Sequence, residues 1–155
     1  MSEPQATQAR GSVLLLSGPN LNLLGEREPE IYGTATLDDH VATARRTARG
    51  LGLEVEHLQS NHEAELVEAV HAARGRHVAV VINAGALTHY AWSLHDALAA
   101  FEGVVIELHL SNPNAREPWR HTSVIAPVAA GSIVGLGGLG YELALRAVAG
   151  VLDAR

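Results

Sequence analysis

A glutamate, a histidine and a serine alternate with apolar residues in Val105-Ile106-Glu107-Leu108-His109-Leu110-Ser111. Read as a strand, the segment puts Glu107, His109 and Ser111 on one face and the isoleucine and leucines on the other. A carboxylate two residues from a histidine on the same face can hydrogen-bond it, hold its ring and stabilise the imidazolium. Such a pair suits proton transfer, although a satisfied ion pair at a subunit interface would leave the same pattern. Arg27 and Tyr32 lie five residues apart in a proline-containing stretch. Tyrosine in water ionises near about 10, so it acts as a base near neutrality only where a cation stabilises the phenolate. Tyr32 with Arg27 could form such a base, and a tyrosine simply packed against its loop is the plainer alternative. Arg116 and Arg120 are four apart and could share one face of a helical turn. They follow Ser111-Asn112 directly, which favours a role in binding hydroxyls or carboxylates over one as solvated surface charges.

Positioning these groups requires a scaffold. Apolar runs at Val13–Leu16, Leu53–Leu58, Val78–Ile82, Val104–Leu110 and Ser132–Leu136 read as strands. The third is almost purely β-branched, as a strand buried on both faces should be. Helical patterns lie between and after them: from Thr36, whose hydroxyl and following carboxylates suit a helix start, to Gly50; over Glu63–Ala73; around Tyr90–Phe101; and over Tyr141–Leu152. Strands alternating with helices imply a parallel sheet covered on both faces. With right-handed crossovers the natural five-strand solution is the flavodoxin-like three-layer fold, strand order 2-1-3-4-5. Ligands in such folds bind beyond the carboxyl ends of the strands. Those loops carry Asn20, Asn22, Arg27 and Tyr32; Ser60, Asn61 and His62; Asn83, Thr88 and His89; and Ser111, Asn112, Arg116, Arg120 and His121. A purely structural sheet has no need to gather such residues along one edge.

Composition narrows the chemistry. The 155 residues suit a single domain over residues 12–155, preceded by a flexible tail over residues 1–11 that lacks the apolar core of a signal peptide. There is no cysteine, and all eleven basic residues other than histidine are arginines. The chain therefore has no thiolate nucleophile, no lysine for a Schiff base or a pyridoxal anchor, and no phosphate-loop lysine. A net charge of −6 argues against a nucleic-acid partner. No stretch approaches the ~20 apolar residues that span a membrane, so a soluble, cytoplasmic protein is expected. The nine histidines show neither the HExxH motif nor the usual zinc spacing, so no metal is expected. Gly135-Leu136-Gly137-Gly138-Leu139-Gly140 matches a dinucleotide fingerprint, but it stands at the last strand rather than the first, and a tight turn into the final helix is the better reading.

Taken in order, these segments resemble the type II 3-dehydroquinate dehydratase family. Ser17-Gly18-Pro19-Asn20-Leu21-Asn22-Leu23-Leu24-Gly25-Glu26-Arg27 through Tyr32-Gly33 is similar to its first signature and Gln59-Ser60-Asn61-His62-Glu63 to its second. Ile82-Asn83 with Thr88-His89 resembles the third, and Glu107-Leu108-His109-Leu110-Ser111-Asn112 with Arg116 and Arg120-His121 the fourth. Gly140-Tyr141-Glu142-Leu143-Ala144-Leu145 is similar to its final helix, so the likeness covers nearly the whole chain past the tail.

The resemblance implies a cofactor-free hydro-lyase converting 3-dehydroquinate to 3-dehydroshikimate by anti elimination through an enolate. It implies Tyr32 as the base at C2, Arg27 as the group keeping its phenolate available, and Asn20 as stabiliser of the enolate through a water. It implies His109 as the acid at the C1 hydroxyl, with Glu107 orienting it. Asn83, His89 and Arg120 would hold substrate hydroxyls, and Leu110 and Ser111 the carboxylate. Arg116 would shape the lid and its charge, and the loop from about Leu23 to Gly33 would close over the substrate. Asp96 would reach into a neighbouring subunit's site, within a homododecamer built as a tetramer of trimers. Ala84, Leu87, Tyr90, Asn114 and Leu139 depart from the family's usual choices, around the loop after Asn83 and at packing positions. The alternative is a non-enzymatic flavodoxin-like binding module; neither a flavin-binding loop nor a phosphoacceptor aspartate stands at a strand end to support it.

Overall fold

The computed structural model describes residues 9–155. Five parallel strands, β1 (Gly11–Ser17), β2 (Leu53–Gln59), β3 (Ala79–Asn83), β4 (Val104–His109) and β5 (Gly131–Val134), form one sheet in the order β2-β1-β3-β4-β5. This is the expected flavodoxin-like order. Alternation along the inner strands divides the core in two. Val13, Leu15, Val81, Ile106 and Leu108 face helices α2 (Leu37–Gly50) and α5 (Leu139–Asp153). Leu14, Leu16, Val80, Ile82 and Val105 face α3 (Glu63–Ala73) and α4 (Trp92–Ala99). A further short helix, α1 (Pro29–Tyr32), sits in the long loop after β1.

Local sequence explains several boundaries. Thr36 closes the start of α2 with a reciprocal cap: its hydroxyl accepts from the Asp39 N–H at 3.2 Å, and the Asp39 carboxylate accepts from the Thr36 N–H at 2.9 Å. The helix expected from Tyr90 instead begins at Trp92, after a 3-10 turn over Gly85–His89. Tertiary bonds compete for that turn, since the Thr88 carbonyl accepts from the Val124 N–H and the His89 ring binds the Thr122 carbonyl. The fifth strand was expected to run to Leu136 but ends at Val134, because Gly135 turns with φ of 80° and donates its N–H to the Ser111 carbonyl at 3.0 Å. The glycine run thus folds back on the end of β4, as a tight turn into α5.

Of the tail expected over residues 1–11, residues 1–8 lie outside the described residues. Gly11 already belongs to β1, and the Arg10 N–H donates to the Gly52 carbonyl at 2.6 Å. No helix among the described residues is long and apolar enough to cross a membrane.

The loops after β1 and β3 are held against each other. The Gly18 N–H donates to the Asn83 carbonyl at 2.7 Å, and a Cβ on Gly18 would lie 2.5 Å from the Ala84 carbonyl oxygen. Only glycine lets the two backbones approach this closely.

Candidate active site

A cleft opens at the carboxyl ends of β1, β3 and β4, where the fold is expected to bind ligands. Its floor is β4. Glu107, buried in the sheet, accepts from His109 Nε2 at 3.0 Å, so Nε2 carries a proton and the ring's Nδ1 is left for the cleft. Ser123 and Ser132 also donate to Glu107, at 2.6 and 2.8 Å. Burial alone would push this carboxyl up. The hydrogen bonds from His109 and Ser123, the charge of His109 and the hydrogen bond from Ser132 together outweigh burial and hold it below the ordinary glutamate range. Leu110 and Ser111 continue the strand line to the cleft wall.

The opposite wall comes from the first loop. Tyr32, the last residue of α1, turns its hydroxyl to Arg116, whose Nη1 donates to it at 2.7 Å and to the Ser111 hydroxyl at 3.3 Å. The Arg27 guanidinium lies over the same ring, 5.1 Å from its centroid, and pairs with Glu28 at 3.5 Å. Asn20 and Glu28 hold left-handed backbone, with φ of 70° and 40°, near the start and middle of this loop. Such conformations cost non-glycine residues energy and persist where surrounding structure fixes them. Around Asn20 that support comes from Asn61, whose carboxamide accepts from the Asn20 N–H at 3.0 Å and from Gln59 Nε2 at 3.1 Å.

The remaining wall carries Asn83, His89 and Arg120. The Asn83 carboxamide oxygen accepts from the Gly85 N–H at 3.1 Å. His89 Nδ1 donates to the Thr122 carbonyl at 2.7 Å, leaving Nε2 free to face a ligand. Burial pushes this imidazole below its ordinary value, and the nearby His109 and Arg120 act in the same direction against the Thr122 hydrogen bond. Arg120 is clamped between the Glu117 carboxylate and the face of Trp119, 4.0 Å from the ring centroid.

Asn20, Arg27, Tyr32, Asn83, His89, His109, Leu110, Ser111, Arg116 and Arg120 all line this one cleft. Glu107 lies behind His109, and Asp96 lies apart on the exposed side of α4. Ser60 and His62 do not reach the cleft; Ser60 is buried, binding Glu65 and accepting from the His62 N–H. Two features were not anticipated. Arg116, and not Arg27, makes the hydrogen bond to the Tyr32 oxygen, a contact across 84 residues. The serine donors to Glu107 were also missed: Ser132 stands beside it in the β4–β5 register, which cannot be read before the strands are paired.

The cleft is thus polar, with two arginines at a phenol on one side and a carboxylate-bound imidazole on the other. The Dehydroquinase class II family profile matches residues 11–149, and the chain belongs to that family. It is 55% identical over 139 residues to 3-dehydroquinate dehydratase 1 of Corynebacterium efficiens, covering 90% of this chain and 92% of that one. It is 53% identical over 138 residues to the catabolic 3-dehydroquinase of Aspergillus clavatus, covering 89% and 92%. The crystal structure of the type II dehydroquinase from Propionibacterium acnes superimposes with a TM-score of 0.87 at 43% identity, over 92% of this chain and 99% of that one.

Proposed function

We propose that this chain dehydrates 3-dehydroquinate to 3-dehydroshikimate, as a hydro-lyase working through an enolate. The observation that carries the reading is one cleft holding an arginine-bound tyrosine hydroxyl and a carboxylate-bound histidine. Family membership supports the same reaction.

In this mechanism the Tyr32 phenolate takes the proton from C2, beside the ketone. The C2–H electron pair moves toward the ketone, giving an enolate. Arg116 at 2.7 Å and Arg27 over the ring stabilise the phenolate before the transfer. Asn20 lines the same wall and would steady the enolate oxygen, through a water. His109 then gives a proton to the C1 hydroxyl, which leaves as water while the enolate electrons form the C1–C2 double bond. Glu107 stabilises the doubly protonated ring that this step requires. Of the three tyrosines, Tyr32 is the one that lines the cleft: Tyr90 is exposed outside it, and Tyr141 is fully buried, which pushes its phenol up. With no lysine in the chain, an imine route is closed.

Asn83, His89 and Arg120 would bind ring hydroxyls, and Ser111 with the Leu110 backbone the substrate carboxylate. Arg116 would bridge base and carboxylate end, since it touches both Tyr32 and Ser111. The loop around α1 would act as a lid, excluding water once substrate is bound. A homododecamer in which Asp96 completes a neighbour's site fits that residue's exposure outside its own cleft. The test is formation of the conjugated enone product from 3-dehydroquinate, followed by ultraviolet absorbance; a folded, assembled protein giving no enone would return the chain to the binding-module alternative.

A further inference from the structure

The segment Thr122-Ser123-Val124 touches two residues of the site, His89 and Glu107, and is tied at two further points to the turn after β3 and to α4. The Thr122 carbonyl accepts from His89 Nδ1 at 2.7 Å, and the Val124 N–H donates to the Thr88 carbonyl at 2.8 Å. The Val124 carbonyl accepts from His95 Nδ1 at 2.6 Å, and the Ser123 hydroxyl donates to Glu107 Oε2 at 2.6 Å. Val124 and Ile125 are buried in the core under α4, so the strap is anchored.

The direction of the Ser123 hydrogen bond is fixed by its other partners. Its oxygen accepts from the Ile125 N–H at 3.1 Å and the Ala126 N–H at 3.0 Å. A hydroxyl has one proton to give. With its oxygen occupied by two donors, that proton goes to Glu107. Oε2 therefore receives both Ser123 and His109 Nε2, and Oε1 receives Ser132 at 2.8 Å. A proton on Oε2 would meet two donors already pointing at it. At Oε2 the arrangement accommodates an ionised carboxylate and opposes a proton, and the Ser132 hydroxyl adds a donor to the ionised form at Oε1.

We infer that Ser123 and Ser132 are positioning residues that act through Glu107, keeping it ionised so that it holds the Nε2 proton of His109 and stabilises the imidazolium whose Nδ1 proton goes to the departing hydroxyl. The same strap sets the tautomer of His89, so acid and hydroxyl-binding histidine are oriented from one anchored segment. This inference rests on the dehydratase reading for the role of His109, but its physical content, the ionisation of Glu107, is separable. The titratable and charged groups facing Glu107 are His109 on its own strand and His89 on the loop after β3, with Arg120 next to His89.

The experiment compares wild type with Ser132→Ala, Ser123→Ala and Ser123→Thr. Ser132→Ala is the cleaner variant, because Glu107 is the hydrogen-bond partner of its hydroxyl, whereas Ser123 also caps the following turn. Each lost donor should raise the Glu107 carboxyl by about one pH unit, the scale of a hydrogen bond to a charged group. The acidic limb of the kcat profile should then move upward by that amount in both alanine variants, with KM changed less than about twofold. Ser123→Thr, which keeps the hydroxyl, should restore the wild-type limb. The Glu107 carboxyl, followed by carbon-13 NMR in substrate-free protein, should show the same displacement. An acidic limb and a carboxyl titration both unmoved in Ser132→Ala and Ser123→Ala would overturn the inference, even if kcat fell uniformly with pH. Absent wild-type turnover would refute the dehydratase reading instead, and the NMR titration would still decide whether the serines hold Glu107 ionised.

Discussion

Replacing Tyr32 by Phe separates the chemistry proposed for this side chain from its structural contribution. Phenylalanine keeps the ring, which packs against the edge of the α2–α5 core, and keeps the face over which Arg27 lies. The one hydrogen bond lost is that from Arg116, and Arg116 retains its contact to Ser111. A partly exposed bond of this kind contributes about 0.5–1.5 kcal/mol to folding. For a domain of this size that corresponds to a fall in Tm of roughly 1–6 °C. Loss of the proposed general base should lower kcat by ~10²- to ~10⁴-fold. In the proposed mechanism the phenol removes a proton and does not anchor the substrate, so KM should stay within a few-fold of wild type. Thermal unfolding and enone absorbance on the same preparation read both quantities. Turnover within tenfold of wild type would refute Tyr32 as the base. A Tm collapse accompanying the loss of turnover would mean that the substitution acted through the fold.

Two further outcomes follow from the β4 pair. In His109→Ala, exchange of the substrate's C2 proton with deuterated solvent should persist while formation of the enone is largely lost, because the proposed mechanism gives enolate formation to Tyr32 and hydroxyl departure to His109. Equal loss of both would count against that division of roles. Glu107 concerns stability: its carboxyl is held below the ordinary glutamate range in the folded state, so it favours folding above that range, and the benefit disappears as pH falls through the lowered value. Urea midpoints measured from neutrality into acid should therefore decline less steeply in Glu107→Gln than in wild type, and parallel curves would show that Glu107 is not held ionised by its neighbours.

The architecture was legible because the periodicities are strong. Alternation in Val105–Ser111 placed Glu107 and His109 on one face, and the structure shows them 3.0 Å apart, with Ile106, Leu108 and Leu110 in the opposite core. The continuous apolar run of the third strand likewise matches the fully buried β3. Contacts set by closure of the chain were not legible. Nothing local to Arg116 says that it meets a tyrosine 84 residues earlier in preference to Arg27 doing so. The place of Ser132 depends on the β4–β5 register, and that of Ser123 on a strap held by backbone groups. The helix expected around Tyr90–Phe101 starts later, at Trp92, for the same reason: the Thr88 carbonyl and the His89 ring are engaged by residues 122–124, which local propensity does not contain. Asp96 remains a residue whose expected partner would be another copy of the chain, on a surface where Tyr90 and Trp92 are also exposed.

The most direct test of the central claim is ultraviolet absorbance on mixing the purified, chelator-treated protein with 3-dehydroquinate, in parallel with a sample pretreated with borohydride in the presence of substrate. A rising enone signal of equal rate in both samples is the expected result, since an elimination through Tyr32, His109 and an enolate requires neither metal nor imine. A signal abolished by borohydride or by the chelator, or no signal from folded and assembled protein, would contradict it.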